Sequence, residues 1–258
     1  MDTLEKNNPH ERDSHITFTE EGHKYTIDGD SDYLSVTTWN HSHFPHFDPD
    51  RVIKKMKAGR NWENSQYYGM ESEAIKKLWK DRGREASKAG TEMHYDIERF
   101  YNGQPVANDS KEFSDFLKFD AGRGDLIPYR TEWMIYDKEL RFAGSIDMVF
   151  ENPDGTLQLY DWKRSKEIKR TNRWECGLTE CVSHVPNSNY WLYSLQLNTY
   201  KAILERNYGK RVTDMYLVCF HPTRDTFERI RVPALPAEID ALFRLRAGRL
   251  SADKGLES

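Results

Sequence analysis

The sequence FAGSIDMVFENPDGTLQLYDWK (residues 142–163) contains two strand-like runs that flank a strong turn signal. Residues 139–151 and 156–163 are rich in β-branched and aromatic residues, which favour β-strands. The intervening Asn152-Pro153-Asp154-Gly155 is typical of a tight turn. We therefore predict an antiparallel hairpin at this point of the chain.

The length of the turn determines which side chains of the hairpin meet. If Pro153-Asp154-Gly155 forms a three-residue loop, Asn152 pairs with Thr156, and Asp147 lies opposite Asp161 on the same face. A two- or four-residue loop would shift the pairing and send the two aspartates to opposite faces. The three-residue loop is therefore the register in which this hairpin can form a site.

Side chains alternate along a strand, so Lys163 shares the face of the two aspartates and Trp162 points to the other face. Two adjacent carboxylates repel each other, and one takes up a proton unless a cation neutralises the pair. A divalent cation such as Mg²⁺ prefers oxygen ligands and activates water. The ammonium of Lys163 is suited to position that water or to stabilise the transition state. The simpler alternative is an exposed strand face with incidental charges.

The remaining pattern predicts one mixed α/β domain over residues 15–258, with a flexible tail at residues 1–14. We divide the domain into an N-terminal helical part (15–125) and a catalytic sheet core (126–258). Gly83 and Gly90 are expected to split the helical pattern of residues 72–101 into two pieces. Further helices are expected at 110–123, 188–207 and 237–250, and further strands at 128–137, 215–220 and 226–232.

Composition limits the classes of protein to consider. No run approaches 18 consecutive apolar residues, and the N-terminal residues lack the apolar core of a secretory signal. Three cysteines in a chain of 258 residues favour a reducing, intracellular setting in the cytoplasm or nucleus. A formal net charge of −4 leaves any contact with nucleic acid to local basic surface.

Residues 142–163 resemble the core of the PD-(D/E)XK superfamily, in which an Asp precedes an (Asp/Glu)-X-Lys on the next strand. Three further motifs are similar to the RecB-like exonuclease branch: GTEMH ending at His94, Gly144-X-X-Asp147, and Gln196-X-X-X-Tyr200. The segment YLSVT, with Ser35 and Thr37, resembles the Ser-Val-Thr segment of phage and viral members. The resemblance implies a restriction-endonuclease-like core, with a central mixed β-sheet flanked by helices and an N-terminal helical elaboration.

The resemblance also implies roles for individual residues. His94 would be a metal ligand or lie beside the metal, together with Asp147, Asp161 and the backbone carbonyl of Trp162. Two acidic residues extend this set as further metal candidates. Glu98 shares a helix face with His94, and Glu132 lies on the strand before Gly144, within reach of a second metal position. Each of the two is also consistent with an ordinary surface carboxylate.

The resemblance assigns Gln196 and Tyr200 to contacts with substrate phosphate or base. The stretch that follows Lys163 is basic and suits a nucleic-acid backbone. Its cations are Arg164, Lys166, Lys169, Arg170 and Arg173. A second basic run at residues 51–60 is more simply a solvated helix surface, and Trp174 is consistent with either base stacking or core packing.

These observations predict a DNA exonuclease that uses one or two Mg²⁺ or Mn²⁺ ions in DNA processing, repair or recombination. Its alternatives are an RNA or DNA endonuclease of the same fold and an inactive nucleic-acid-binding subunit. Two states of association are consistent with the sequence: a homo-oligomer and a subunit of a DNA-processing complex. An iron–sulfur cluster on four cysteines is excluded by the cysteine count, and the Cys and His spacing matches no familiar zinc finger.

Overall fold

A six-stranded mixed sheet forms the centre of the fold, as predicted, and a two-stranded sheet accompanies it. The computed structural model describes residues 3–256, with side chains to residue 252; residues 1–2 and 257–258 of the predicted tail and domain lie outside the described residues. The helices are α1 (Leu4–Asn7), α2 (Val36–His41), α3 (Pro49–Lys57), α4 (Ser72–Tyr101), α5 (Lys111–Ala121), α6 (Asn189–Asn207) and α7 (Pro236–Leu256), with short 3₁₀ helices at Glu11–His15, Trp62–Asn64 and Glu180–Val182. The strands are β1 (Ile16–Thr19), β2 (Lys24–Ile27), β3 (Leu34–Ser35), β4 (Ile127–Asp137), β5 (Phe142–Glu151), β6 (Leu157–Arg164), β7 (Val212–Phe220) and β8 (Glu228–Arg231).

Strand β5 is the centre of the large sheet. It pairs antiparallel with β4 along one edge, and along the other edge with β3 in parallel and β6 antiparallel. Strand β6 continues in parallel to β7, and the antiparallel β8 ends the sheet. Within the described residues the sheet is thus a meander, β4 to β6, extended by a parallel strand and an edge hairpin.

Two hydrophobic cores cover the faces of this sheet. The larger core contains Leu195, Leu197, Ile203 and Leu204 of α6, packed on residues from β4 to β7. The other core joins α4 and α5 to the opposite face of the sheet and includes Met93, Phe113, Phe116 and the indole of Trp162. Helix α6 therefore contacts one face of the hairpin and α4 the other.

Helix α4 is continuous over 30 residues, so the predicted break at Gly83 and Gly90 is wrong. An interior glycine costs a helix only about 1 kcal/mol. Buried Ile75 near one end of α4, and Met93 and Ile97 near the other, hold the helix by tertiary packing. This packing outweighs the penalty of the two glycines.

Residues 3–14, for which we predicted a flexible tail, contain helix α1 and the 3₁₀ helix Glu11–His15. Helix α1 and the 3₁₀ helix that follows it lie against β4. Asn8 Nδ2 donates to the carbonyl of Tyr129 at 2.9 Å, and Arg12 Nη2 donates to the carbonyl of Tyr136 at 3.0 Å. The polar sequence thus satisfies backbone groups of an edge strand, which composition alone does not reveal. Across residues 3–256, no helix has both the length and the apolar character to cross a membrane.

Candidate active site and metal centre

The hairpin has the predicted register, but its two strands separate at the site. Met148 pairs with Tyr160, and Asn152 N–H donates to the carbonyl of Thr156 at 2.8 Å, as a three-residue loop requires. The described ladder ends at Met148, and the Asp147 carboxylate instead accepts the backbone N–H of Trp162 at 2.8 Å. Asp147 is therefore held by the partner strand.

The edge of β5 that faces β6 is divided between two partners. Its first two residues, Phe142 and Ala143, pair with β3, and residues 148–151 pair with β6. Residues 144–147 lie between these two ladders and pair with neither β3 nor β6, so side chains can approach this part of the strand edge. Ile146 and Val149 both join the larger core, although regular alternation would place them on opposite faces. The strand is therefore irregular at the site.

Glu132 is on strand β4, which pairs with the edge of β5 opposite to β6, and it lies across from Asp147. Thr131 pairs with Met148 and Trp133 pairs with Ile146, which places Glu132 across from Asp147. The φ of Glu132 is 43°, in the left-handed region that a residue with a side chain adopts only at a cost. Its carboxylate accepts a hydrogen bond from Ser145 Oγ at 3.0 Å.

His94 of α4 completes a cluster with these two carboxylates. Its Nδ1 lies 3.5 Å from Asp147 Oδ2 and 3.8 Å from Glu132 Oε1. Its Nε2 lies 2.9 Å from the carbonyl oxygen of Trp162, the distance of a hydrogen bond donated by the ring. Potential ligand atoms of His94, Glu132 and Asp147 all lie within 4.8 Å of one another. In the part of the chain with described side chains, this is the group that meets the geometry of a metal site.

The charge on His94 follows from this cluster. Burial alone would lower its pKa, but the carboxylates of Asp147 and Glu132 raise the pKa to about 9. Burial raises the pKa of Asp147, because a charged carboxylate is disfavoured away from water, and the charges of His94 and Lys163 oppose this effect. The arrangement therefore accepts positive charge, from a protonated His94 or from a metal ion.

Asp161 is paired with Lys163 and lies outside the three-ligand group. The two side chains are 2.7 Å apart, and the Lys163 ammonium lies 4.4 Å from the centre of the Tyr193 ring on α6. Burial and the neighbouring Asp147 raise the pKa of Asp161 to about 6, against the opposing effect of Lys163. Burial alone would lower the pKa of Lys163, but Asp161 and Asp147 raise it, so the ammonium stays charged at neutral pH.

Tyr200 is nearly buried and packs against the backbone of Gly144. Gln196 Nε2 donates to Tyr200 Oη at 3.2 Å. A Cβ at Gly144 would lie 2.7 Å from Tyr200 Cε1, so only glycine fits this close approach. Gly144 and Tyr200 are thus in close contact, and Gln196 is hydrogen-bonded to Tyr200.

Glu98 lines a cavity of about 450 Å³ that adjoins Glu132. Burial raises its pKa, and Glu132 and Glu5 raise it further. Sequence reasoning missed Tyr25, which β2 brings to the same cavity. Burial, with added effects of Glu132 and Asp147, raises the pKa of Tyr25 to about 12. A lone tyrosine on a short strand gives no sequence signal for this position.

The residues predicted to bind nucleic acid are not all free to do so. Ser35 caps α2 by accepting the N–H of Thr38 at 3.1 Å, whereas Thr37 is exposed. Arg164 Nε donates to Glu112 Oε1 at 2.8 Å, so Arg164 is held in an ion pair. The exposed basic side chains of the stretch are Lys166, Lys169, Arg170 and Arg173.

A family model of the PD-(D/E)XK nuclease superfamily matches residues 60–253, and the chain belongs to this superfamily. A search of curated proteins found no significant match. The solved structure described as "Crystal structure of SSO0001" is similar at 14% identity with a TM-score of 0.30, over 83% of this chain and 73% of that chain. A similarity this low supports no conclusion about function.

Membership defines the class of protein as a nuclease, a hydrolase that acts on nucleic acid. Members of the superfamily generally use divalent metal ions. The matched range contains His94, the whole hairpin and α6, but it begins after α3. The two-stranded sheet (β1 and β2) and strand β3 of the large sheet therefore lie outside the part of the chain that the family model matches.

Proposed function

We propose that the protein is a DNA exonuclease that depends on Mg²⁺ or Mn²⁺. One observation carries this proposal: His94, Glu132 and Asp147 converge beside the Asp161–Lys163 ion pair. Exonuclease action on DNA is inferred from the resemblance of three motifs to the RecB-like branch. The convergence of these side chains supports metal-dependent hydrolysis of a phosphodiester bond, whether by an exonuclease or by an endonuclease.

The residues present fit a divalent cation. Two carboxylates supply the oxygen ligands that both ions accept, and the imidazole favours Mn²⁺ over Mg²⁺. Within the proposal, Asp161 and the Trp162 carbonyl are further ligands. The carbonyl lies 2.9 Å from His94 Nε2, and Asp161 is near enough to Asp147 for the charge of Asp147 to raise its pKa. When bound, such a cation polarises a phosphoryl oxygen and activates water for attack.

The chain's own residues position this chemistry. The Trp162 N–H fixes the Asp147 carboxylate, and the Trp162 carbonyl fixes the ring of His94. Lys163 is held as an ammonium by Asp161 and by the face of Tyr193. In our proposal this ammonium orients the attacking water and stabilises negative charge on the phosphate in the transition state.

The proposal is tested with end-labelled linear DNA and closed circular DNA in Mg²⁺, Mn²⁺ or EDTA. We expect loss of the linear substrate only with a divalent metal, and no loss with Asp161→Ala or Lys163→Ala. The exposed Lys24 of β2 provides the control, since Lys24→Ala leaves the cluster intact and Lys24 lies outside the predicted nucleic-acid-binding stretch. Cleavage of the closed circular DNA would show that the enzyme is an endonuclease and not an exonuclease, because a circle has no ends. Cleavage of RNA alone would change the substrate, and absence of any cleavage would contradict the catalytic assignment.

A further inference from the structure

A groove runs between α3 and residues 165–188, outside the metal cluster. It consists of two adjoining depressions of about 360 and 420 Å³. Both are lined by Arg51 and Val52 of α3 and by Asn172 and Glu175 of the facing segment. Because these residues are shared, the two depressions form one continuous surface, which we call the α3 groove.

One end of the α3 groove approaches the active-site lysine. His41 and Leu192 line this end, and Leu192 precedes Tyr193, whose ring carries the Lys163 ammonium. Partial burial lowers the pKa of His41, and the charges of His46 and Lys163 lower it further. Lys163 is thus within electrostatic reach of the groove.

The other end of the α3 groove displays an aromatic side chain to solvent. Trp174 is 90% exposed, which is unusual for so large an apolar side chain. Its loop is nevertheless fixed, because Asn172 Oδ1 accepts the backbone N–H of Trp174 at 3.0 Å. Asn172 Nδ2 in turn donates to the carbonyl of Asn187 at 2.7 Å. The backbone that carries the exposed indole is therefore anchored to the neighbouring segment.

The wall opposite Trp174 is basic. Helix α3 carries Arg51, Lys54, Lys55 and Lys57. Arg51 is paired with Glu175 at 2.6 Å, which ties the helix to the loop, whereas Lys55 is exposed and lines the groove. Asp48 and Glu175 line the groove as well. The exposed Lys55 beside an exposed aromatic ring matches a backbone phosphate and an unpaired base of a single strand. In a duplex the bases are already stacked, so an indole gains little from them.

We propose that the α3 groove binds single-stranded nucleic acid and leads the strand toward Lys163. Trp174 stacks on an unpaired base, and Lys55 contacts the phosphate backbone. This inference rests on the proposed nuclease function, to which it adds the form of the substrate and its route. Helix α3 lies outside the part of the chain that the family model matches, whereas Asn172, Trp174 and Glu175 lie within it.

The test measures the binding of short labelled single-stranded and duplex oligonucleotides in EDTA by fluorescence anisotropy. Trp174→Ala is expected to weaken single-strand binding about tenfold, the loss of one base–aromatic stack, with a much smaller effect on the duplex. Trp174→Phe should restore most of the affinity. Lys55→Ala should weaken binding and reduce its salt dependence, because one phosphate contact is lost. With metal present, the KM for cleaving the single strand should rise in the same variants.

Two control variants separate the groove from its surroundings. Leu178 is 70% exposed on the same segment but does not line the groove, and Lys24 is an exposed cation on β2. Leu178→Ala and Lys24→Ala should bind and cleave as the wild type does. Thermal unfolding of every variant checks that the fold is kept.

Wild-type binding and KM in Trp174→Ala would overturn the groove assignment and leave the nuclease proposal standing. Equal losses on single-stranded and duplex DNA would overturn the single-strand assignment. If the wild type neither binds nor cuts nucleic acid, the proposed function fails as well. In that outcome, binding of another protein that is lost in Trp174→Ala would indicate that the α3 groove is occupied by a protein partner.

Discussion

Glu132 has a backbone conformation that lowers the stability of the fold but brings its carboxylate into the site. Its left-handed backbone, with φ of 43°, occurs within a strand and brings its carboxylate toward Asp147 and His94. Such a conformation costs a residue with a side chain of order 1 kcal/mol or more. Two facing carboxylates add repulsion. Both costs are reasonable if a cation binds between them.

We predict that Glu132→Gly separates stability from metal binding. Glycine adopts the left-handed region freely, so in EDTA the free energy of unfolding should stay within about 1 kcal/mol of wild type or rise. Mn²⁺ should raise the melting temperature of the wild type more than that of the variant, because a ligand is lost. Thermal unfolding with and without Mn²⁺ makes the comparison. A large loss of stability in EDTA would show that the backbone of Glu132 is not strained.

Gly144 is the second residue on which the site depends. We predict that Gly144→Ala displaces Tyr200, because the new Cβ would lie 2.7 Å from its ring. The expected result is a destabilisation of about 1–3 kcal/mol, the usual cost of overpacking a core. Denaturant unfolding measures it. Unchanged stability together with unchanged near-ultraviolet circular dichroism would contradict the close contact.

At the scale of elements, the hairpin was predictable and its opening was not. The turn residues and strand composition predict the pairing of Asn152 with Thr156, and from that register a common face for Asp147, Asp161 and Lys163. The separation of the strands arises from the hydrogen bond of Asp147 to the Trp162 amide and from the division of β5 between β3 and β6. These are contacts between distant segments, which local patterns do not encode.

Helix α4 offers a test of helix propensity with no tertiary contact involved. A Cβ at Gly83 would have no other atom within 4 Å, and its φ lies outside the left-handed region. We therefore predict that Gly83→Ala raises the free energy of unfolding by about 0.5–1 kcal/mol. Denaturant unfolding measures the change, and DNA cleavage should be unaffected. Destabilisation by Gly83→Ala would mean that α4 is distorted or divided at this glycine.

At the scale of the whole molecule, the N-terminal segment closes the edge of the sheet through Asp13. Its carboxylate accepts from Arg130 Nη1 at 2.7 Å and from the Trp133 indole at 3.0 Å. Burial would raise the pKa of Asp13, but the hydrogen bonds with Arg130, the His10 amide and Trp133 lower it below its usual value. The ionised form is therefore the one that the folded state stabilises.

We predict that Asp13→Asn lowers the free energy of unfolding by about 2 kcal/mol at neutral pH, the scale of a hydrogen bond to a charged group. Because the folded pKa is depressed, this stabilisation is complete above the unfolded pKa of about 3.9 and is lost as the pH falls through the folded pKa. The difference between variant and wild type should therefore shrink below about pH 4. Denaturant unfolding across pH tests this, with the exposed Glu11→Gln as control. A difference that is independent of pH would exclude the charge of Asp13 as its cause.

The sequence also predicts the mixed sheet, most helix positions and the residues that surround the cluster. The resemblance predicts that His94 and Asp147 meet, but it leaves Glu132 as one of two open candidates and does not separate Asp161 from the group. Glu132, His94 and Asp147 come from a strand, a helix and a second strand, and their convergence depends on how α4 packs on the hairpin. The docking of residues 3–14 on β4 was missed for the same reason, since it consists of polar contacts with distant backbone.

In the proposed mechanism, Lys163 acts on the water and the substrate phosphate, while other residues hold the metal ion. The most direct test of this mechanism compares Lys163→Ala with the wild type in two measurements, Mn²⁺ binding by calorimetry and the single-turnover rate of DNA cleavage. We predict that the variant still binds Mn²⁺, while its cleavage rate falls about 10²- to 10³-fold, the usual effect of removing a group that stabilises the transition state. Cleavage by Lys163→Ala at the wild-type rate would contradict the account.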